Sequence, residues 1–214
     1  MKVMSLPVII NAAFKYVTDT SIKYNIDESH SLKHSMEVFQ YANNIYKCEK
    51  NKYPIVEEQK DIIFISSIIH DMCDKKYVDE KKGIENIKQY FKNYLSQDKI
   101  DIISHIISSM SYSKVKINGY PDLGEYQVAY HIVRESDLLS SYDIDRCIMF
   151  GIYCEKLDYL DAVNRAEYLF NERVLNYIKD GLFLTEYSKY ESFDLHLKAV
   201  LNLKEIESLK KNIF

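Results

Sequence analysis

Four side chains of metal-ligating type stand out in this chain of 214 residues: His34, the adjacent pair His70-Asp71, and Asp137. The pair closes the apolar run Ile62-Ile63-Phe64-Ile65-Ser66-Ser67-Ile68-Ile69. Imidazole and carboxylate are costly to desolvate unless they are paired, hydrogen-bonded or bound to a metal. Successive helical residues point roughly 100° apart, but at a helix end the backbone loosens and two neighbours can turn toward one cation. His34 and Asp137 each sit in or beside a stretch with apolar periodicity, which points them inward. Two neutral imidazoles and two carboxylates make a mixed nitrogen and oxygen set suited to Mn, Fe, Co, Ni, Zn or Mg, with water in the open positions. Taken singly, each has a plainer reading as a satisfied core histidine, a helix cap or an ion-pair partner; the argument rests on the four together.

The elements that must position these groups read as helices. Pro7 to about Tyr24 spaces Ile10, Phe14 and Val17 at helical intervals, and a second helix carries His34, Val38, Tyr41, Ala42 and Ile45, with His30 one turn earlier. A third runs from about Val56 to His70, led by Pro54. Ile84, Ile87, Phe91 and Leu95 mark a fourth, and Ile102, Ile103, Ile106, Ile107 and Met110 a fifth that contains His105. Asn118-Gly119-Tyr120-Pro121 is the clearest turn. Tyr126 to Ser141 is helical again and holds His131, Arg134, Glu135 and Asp137; Asp143 suits the cap of the next segment, and the pattern stays helical to the end apart from a break near Gly181. No repeat and no convincing strand emerges. The expected fold is an all-α bundle, and a bundle core is a usual place for a metal site built from facing helices.

Composition narrows the function classes. The chain is 47% apolar, enough for a sizeable core, and its five Gly and three Pro argue against a sandwich or barrel of many short strands. A formal charge of −4 with interspersed signs leaves no basic footprint for nucleic acid and no polybasic membrane surface. It does not exclude a phosphate ligand, since a bound cation can dominate the local field. The cysteines Cys48, Cys73, Cys147 and Cys154 form no CxxC pair, which suits reduced thiols in a cytoplasmic protein. No apolar run reaches the roughly 18 residues of a membrane span, and the N-terminus makes a poor signal peptide.

The order and context of the four groups resemble the HD superfamily of metal-dependent phosphohydrolases. His30-Ser-Leu-Lys-His34-Ser-Met-Glu-Val38 is similar to that family's first ligand helix, and Ile68-Ile69-His70-Asp71 to its apolar-apolar-His-Asp signature. Ile132-Val133-Arg134-Glu135-Ser136-Asp137-Leu138-Leu139 resembles its alanine-aspartate helix, with Ser136 where alanine is usual. The resemblance covers about residues 26–142 of what reads as one domain, leaving residues 143–214 as a helical C-terminal extension.

The resemblance implies that His34, His70, Asp71 and Asp137 coordinate one divalent metal, and that Asp74 handles the attacking water. Physical reasoning agrees, since a metal lowers the pKa of its bound water and a nearby carboxylate can orient that water or take its proton. Lys75 and Lys76 follow at once and offer cations for a phosphoryl group. His105 and Arg134 are candidate substrate contacts, the alternative for Arg134 being an ion pair with Glu135; Arg165 is a more distant cation for a phosphate. With only His105 and His131 as extra histidines, one metal is expected rather than two. The function implied is a hydrolase acting on a nucleotide or other small phosphorylated substrate. The alternative is a non-catalytic HD-fold module that binds a nucleotide or a protein partner.

Overall fold

The computed structural model describes residues 4–213. Among them the chain forms helices and turns and no strand, as the apolar periodicity requires. The first half comprises α1 (Leu6–Tyr24), α2 (Leu32–Glu49), α3 (Ile55–Glu58), α4 (Lys60–Ile69), α5 (Glu80–Phe91) and α6 (Gln97–Ser109). The second comprises α7 (Tyr112–Asn118), α8 (Gln127–Ser140), α9 (Ile144–Tyr153), α10 (Tyr159–Glu172) and α11 (Glu186–Ile213).

The bundle is built round α4. Every residue from Ile62 to Ile69 is buried, and a helix apolar on all sides is stable only when it is covered on all sides. α1, α2, α6 and α8 supply the cover, and α2 packs along α8. The single helix expected over Val56–His70 is in fact broken twice. Gln59 separates α3 from α4, its buried side chain donating to the carbonyl of Glu125 at 3.0 Å. The chain then leaves α geometry at Ile69 (φ −101°, ψ 6°) and tightens into a 3₁₀ turn over His70–Cys73. The pair His70-Asp71 therefore opens a turn rather than closing a helix.

α7 is an element the periodicity did not reveal; it is short, buries no residue fully, and ends at the expected turn, where Gly119 takes a φ of 73°.

The C-terminal third is packed into the same core. Phe170, Val174, Tyr177, Phe183, Ala199 and Leu203 join one apolar cluster with Ile45 and Ile65. α9 and α10 pack on each other, closely at Gly151, where a methyl group would come within 3.1 Å of the Ala162 Cβ. The chain then returns as α11 across α2 and α8. Two buried carboxylates from the first part receive its start. Glu135 accepts from the backbone N–H groups of Leu184 (2.9 Å) and Thr185 (3.0 Å) and from the Thr185 hydroxyl (2.7 Å). Glu49 accepts from the N–H of Glu186 at 2.9 Å. Orphan N–H groups and the positive end of the helix dipole both favour carboxylates at that point.

Candidate metal centre

Three separate elements bring the four groups together. α2 contributes His34 from its first turn, the 3₁₀ turn contributes His70 and Asp71, and α8 contributes Asp137. The Nε2 atoms of His34 and His70 face each other at 3.0 Å. Oδ2 of Asp71 lies 3.2 Å from Nε2 of His34 and 3.3 Å from Nε2 of His70. Oδ1 of Asp137 lies 3.4 and 3.6 Å from the same two nitrogens. Ligands bonded to one ion at about 2.1 Å stand about 3.0–3.4 Å apart at right or tetrahedral angles, so these spacings fit a shared cation. His34, His70 and Asp137 offer ligand atoms all within 4.8 Å of one another, and Asp71 flanks the same histidine pair.

Two further observations favour a cation over a plain hydrogen-bonded cluster. Nδ1 of His70 is 2.8 Å from the Ser67 carbonyl; a carbonyl only accepts, so the ring proton sits on Nδ1 and Nε2 presents its lone pair to the centre. Oδ2 of Asp71 is buried and, although both Nε2 atoms lie within 3.3 Å, receives no well-directed hydrogen bond among the described residues, a costly state for a carboxylate oxygen unless a positive charge meets it. Nδ1 of His34 lies 3.4 Å from the Ser140 hydroxyl, which also receives Nη1 of Arg146 at 3.1 Å.

The electrostatics point the same way. Burial alone would raise the carboxyl of Asp71, yet His70 and His34 hold it well below the usual range. Burial would likewise raise Asp137, and the two histidines hold it well below its ordinary value. Burial would lower His70, but Asp71 and Asp137 pull its pKa well above the usual imidazole value, so they favour positive charge at Nε2, supplied either by a proton or by a metal ion that takes its place. Two ionised carboxylates in a buried pocket thus draw positive charge to this point.

The centre opens into a cavity of about 330 Å³ lined by His70, Asp71 and Asp137 and by Asp74, Lys75 and Lys76. Oδ1 of Asp74 accepts the N–H of Lys76 at 2.9 Å and Oδ2 is 3.4 Å from its Nζ. Lys76 also reaches Nε2 of His30 at 3.0 Å, and Lys75 is exposed at the rim. His30 is kept neutral, its pKa lowered to about 3 by burial and by the cations Lys76 and Arg146, against the pull of Asp71. Behind it, Asp27 accepts from the Tyr77 hydroxyl at 2.6 Å and the Cys154 thiol at 2.9 Å, tying the loop after the 3₁₀ turn to the end of α9. Those two bonds and that of Ser29 bring Asp27 down to about 2 although burial opposes it.

Two expected substrate contacts are corrected. His105 is exposed, because α6 turns Ile100, Ile103, Ser104, Ile106 and Ile107 to the core and leaves His105 on the opposite face. Arg134 is fully buried and points away from the cavity. Its Nη2 donates to Glu135 at 3.0 Å and to the Leu182 carbonyl at 2.6 Å, and its guanidinium lies 4.8 Å from the Tyr120 ring centre. The alternative reading, an ion pair with Glu135, is the one realised. In their place the cavity receives Lys114 from α7 and Arg146, Arg165 and Arg173 from the C-terminal third. Of these, the sequence had suggested Arg165 alone, because a lone arginine in a helical stretch carries no local sign of what it faces.

No family model and no curated protein matches the chain. It is similar in structure to a Lactobacillus plantarum protein whose crystal structure was determined as a structural-genomics target. The TM-score is 0.70 at 16% sequence identity, covering 96% of this chain and 98% of the other. At that identity the likeness concerns the fold, and it extends through the C-terminal third. Among the described residues no helix is long and apolar enough to cross a membrane. The chain is an all-α bundle whose His34, His70 and Asp137 can hold a metal ion.

Proposed function

We propose that this chain is a metal-dependent phosphohydrolase of HD type, acting on a nucleotide or another small phosphorylated compound. The observation that carries the reading is the meeting of two imidazoles and two carboxylates at a cavity whose remaining charged lining is six cations against the three acids Asp74, Glu80 and Asp143. A divalent metal held by His34, His70, Asp71 and Asp137 would supply a water molecule acidified enough to attack phosphorus near neutral pH. Asp74, three residues after Asp71 and lining the same cavity, would take the proton. Lys76, 3.4 Å from Asp74, would with Lys75 neutralise charge that builds on the phosphoryl oxygens. The order of the four groups along the chain and their apolar contexts, which resemble the HD superfamily, support the same reading.

The test is release of phosphate and pyrophosphate from a panel of nucleoside mono-, di- and triphosphates, with Mn, Co, Mg or Zn supplied in turn. Metal-dependent turnover by the wild type that is lost in Asp71→Ala is the expected result. Metal-independent turnover, or equal turnover in the variant, would overturn the assignment. The bond cut follows from which product is released.

A further inference from the structure

Six cationic side chains line the cavity: Lys75, Lys76, Lys114, Arg146, Arg165 and Arg173. Most are already engaged. Lys76 pairs with Asp74, Lys114 with Glu80, and Arg165 with Glu155. Arg146 is used structurally, Nε donating to the Ser29 carbonyl at 2.9 Å and Nη1 to Ser140. Lys75 is exposed at the rim. Arg173 differs from all of these. It is half-buried, it has no acidic partner among the described residues, and its one side-chain hydrogen bond there runs from Nε to the Tyr177 hydroxyl at 2.8 Å.

The rest of the guanidinium is held but not satisfied. Its plane lies 4.3 Å from the ring centre of Tyr112 and 5.8 Å from that of Tyr177. Contact with aromatic faces fixes an arginine without consuming its N–H donors. With Nε occupied, the two terminal nitrogens remain as a fork, the geometry that matches two oxygens of a phosphoryl group. A partly desolvated, unpaired cation facing a cavity is costly to keep unless an anion enters. Arg173 makes no hydrogen bond or ion pair with the four residues of the centre; the Tyr177 hydroxyl that accepts from its Nε also lies 3.4 Å from the hydroxyl of Ser141, one turn after Asp137.

We propose that Arg173, set against Tyr112, is a second anion subsite of this cavity. It takes a phosphoryl group other than the one at the metal centre, and so selects substrates that carry at least two. This rests on the phosphohydrolase reading for its role in turnover but not for its binding chemistry, and the two are tested separately.

The binding arm uses inorganic pyrophosphate and inorganic phosphate as probes on the metal-loaded protein, measured by titration calorimetry. Loss of a charge-assisted, two-point contact predicts about tenfold to a hundredfold weaker pyrophosphate binding in Arg173→Gln, with phosphate changed by less than about threefold. Arg173→Lys keeps the charge without the fork or the stacking plane and should fall between the two. That variant carries the test if Arg173→Gln melts early. Wild-type pyrophosphate affinity in both variants, equal loss of both anions, or no pyrophosphate binding by the wild type would each overturn the subsite. The kinetic arm follows KM and kcat for a diphosphate substrate. A raised KM with kcat nearly unchanged supports the subsite, whereas a fall in kcat alone refutes it. Absence of turnover by the wild type on every substrate would count against the phosphohydrolase reading, while the calorimetry would still decide the role of Arg173.

Discussion

Gly83 of α5 lies directly against Cys73, so that a methyl group added at Gly83 would come within 2.8 Å of both Cα and Cβ of Cys73. Cys73 ends the 3₁₀ turn that His70 and Asp71 open, so α5 sets the height of the turn that carries half of the metal-ligating groups. Gly83→Ala must push that turn aside. The expected cost is about 1–3 kcal/mol, typical of overpacking at a site that cannot yield. Metal affinity should fall along with the melting temperature. Thermal unfolding and metal titration check this, and a variant with lowered stability but wild-type metal affinity would show that the turn moves as a rigid piece.

Removal of a ligand and removal of its support should differ in degree. Asp71→Asn keeps the shape but takes away the charge that meets the buried centre, and bound metal should drop from about one ion per chain to a trace, with helicity retained. Ser140→Ala removes a hydroxyl behind His34 that also receives Arg146. Loss of such an outer partner lowers metal affinity by about tenfold to a hundredfold. Elemental analysis and competition with a chelator, beside circular dichroism, would separate the two variants.

Glu135 is a structural keystone rather than part of the centre. It is wholly buried, it holds the guanidinium of Arg134, and it receives three further donors from Leu184 and Thr185. Glu135→Leu strands a buried guanidinium and frees the start of α11, at a cost of about 3–5 kcal/mol. For a chain of this size that corresponds to a melting point lowered by about 6–20 °C. Differential scanning calorimetry gives the number; a shift of a degree or two would mean that α11 docks without this contact.

His131 predicts an acid-sensitive window in stability. Burial, helped by the charge of Arg134, lowers its pKa from 6.5 to about 4. Between those values the unfolded chain binds a proton that the folded one refuses, so stability is full above pH 6.5 and declines as pH falls toward 4. Nδ1 of His131 has no partner among the described residues, and Nε2 is shared with Gln127 at 3.1 Å. In His131→Gln that loss is reduced, and the melting point of the variant relative to wild type should rise as pH falls through the window. Parallel profiles would remove His131 from the account.

Much of the centre was legible in the chain because its signals are local. An apolar run with no polar face must be a covered helix, so α4 was readable as the axis, and the polar pair at its end had to be explained. His34 and Asp137 could be placed inward from the three- and four-residue spacing of their apolar neighbours alone. The break at Gln59 was not readable locally; the carbonyl its buried side chain meets there, that of Glu125, is 66 positions away. The short α7 was missed because it buries no side chain fully, and a helix without a buried stripe leaves no periodic trace.

The arginines mark the boundary between the two kinds of information. Arg134 lies three residues before Asp137, a candidate metal ligand, and looked like the better substrate contact; Arg173 lies in a stretch that matched no motif. Packing reverses their roles. Arg134 meets Glu135 and the Leu182 carbonyl through one terminal nitrogen and is paired, while Arg173 is swung by the α10–α11 connection onto Tyr112 at the cavity wall with its fork open. The sequence by itself determined the all-helical architecture and the residues that gather at the centre, since the period of apolar side chains says which face of each helix is buried. Only the tertiary structure decided what each buried face meets. Whether an arginine is closed off by a carbonyl such as that of Leu182 or faces an open cavity depends on elements tens of residues apart, and no local pattern records that.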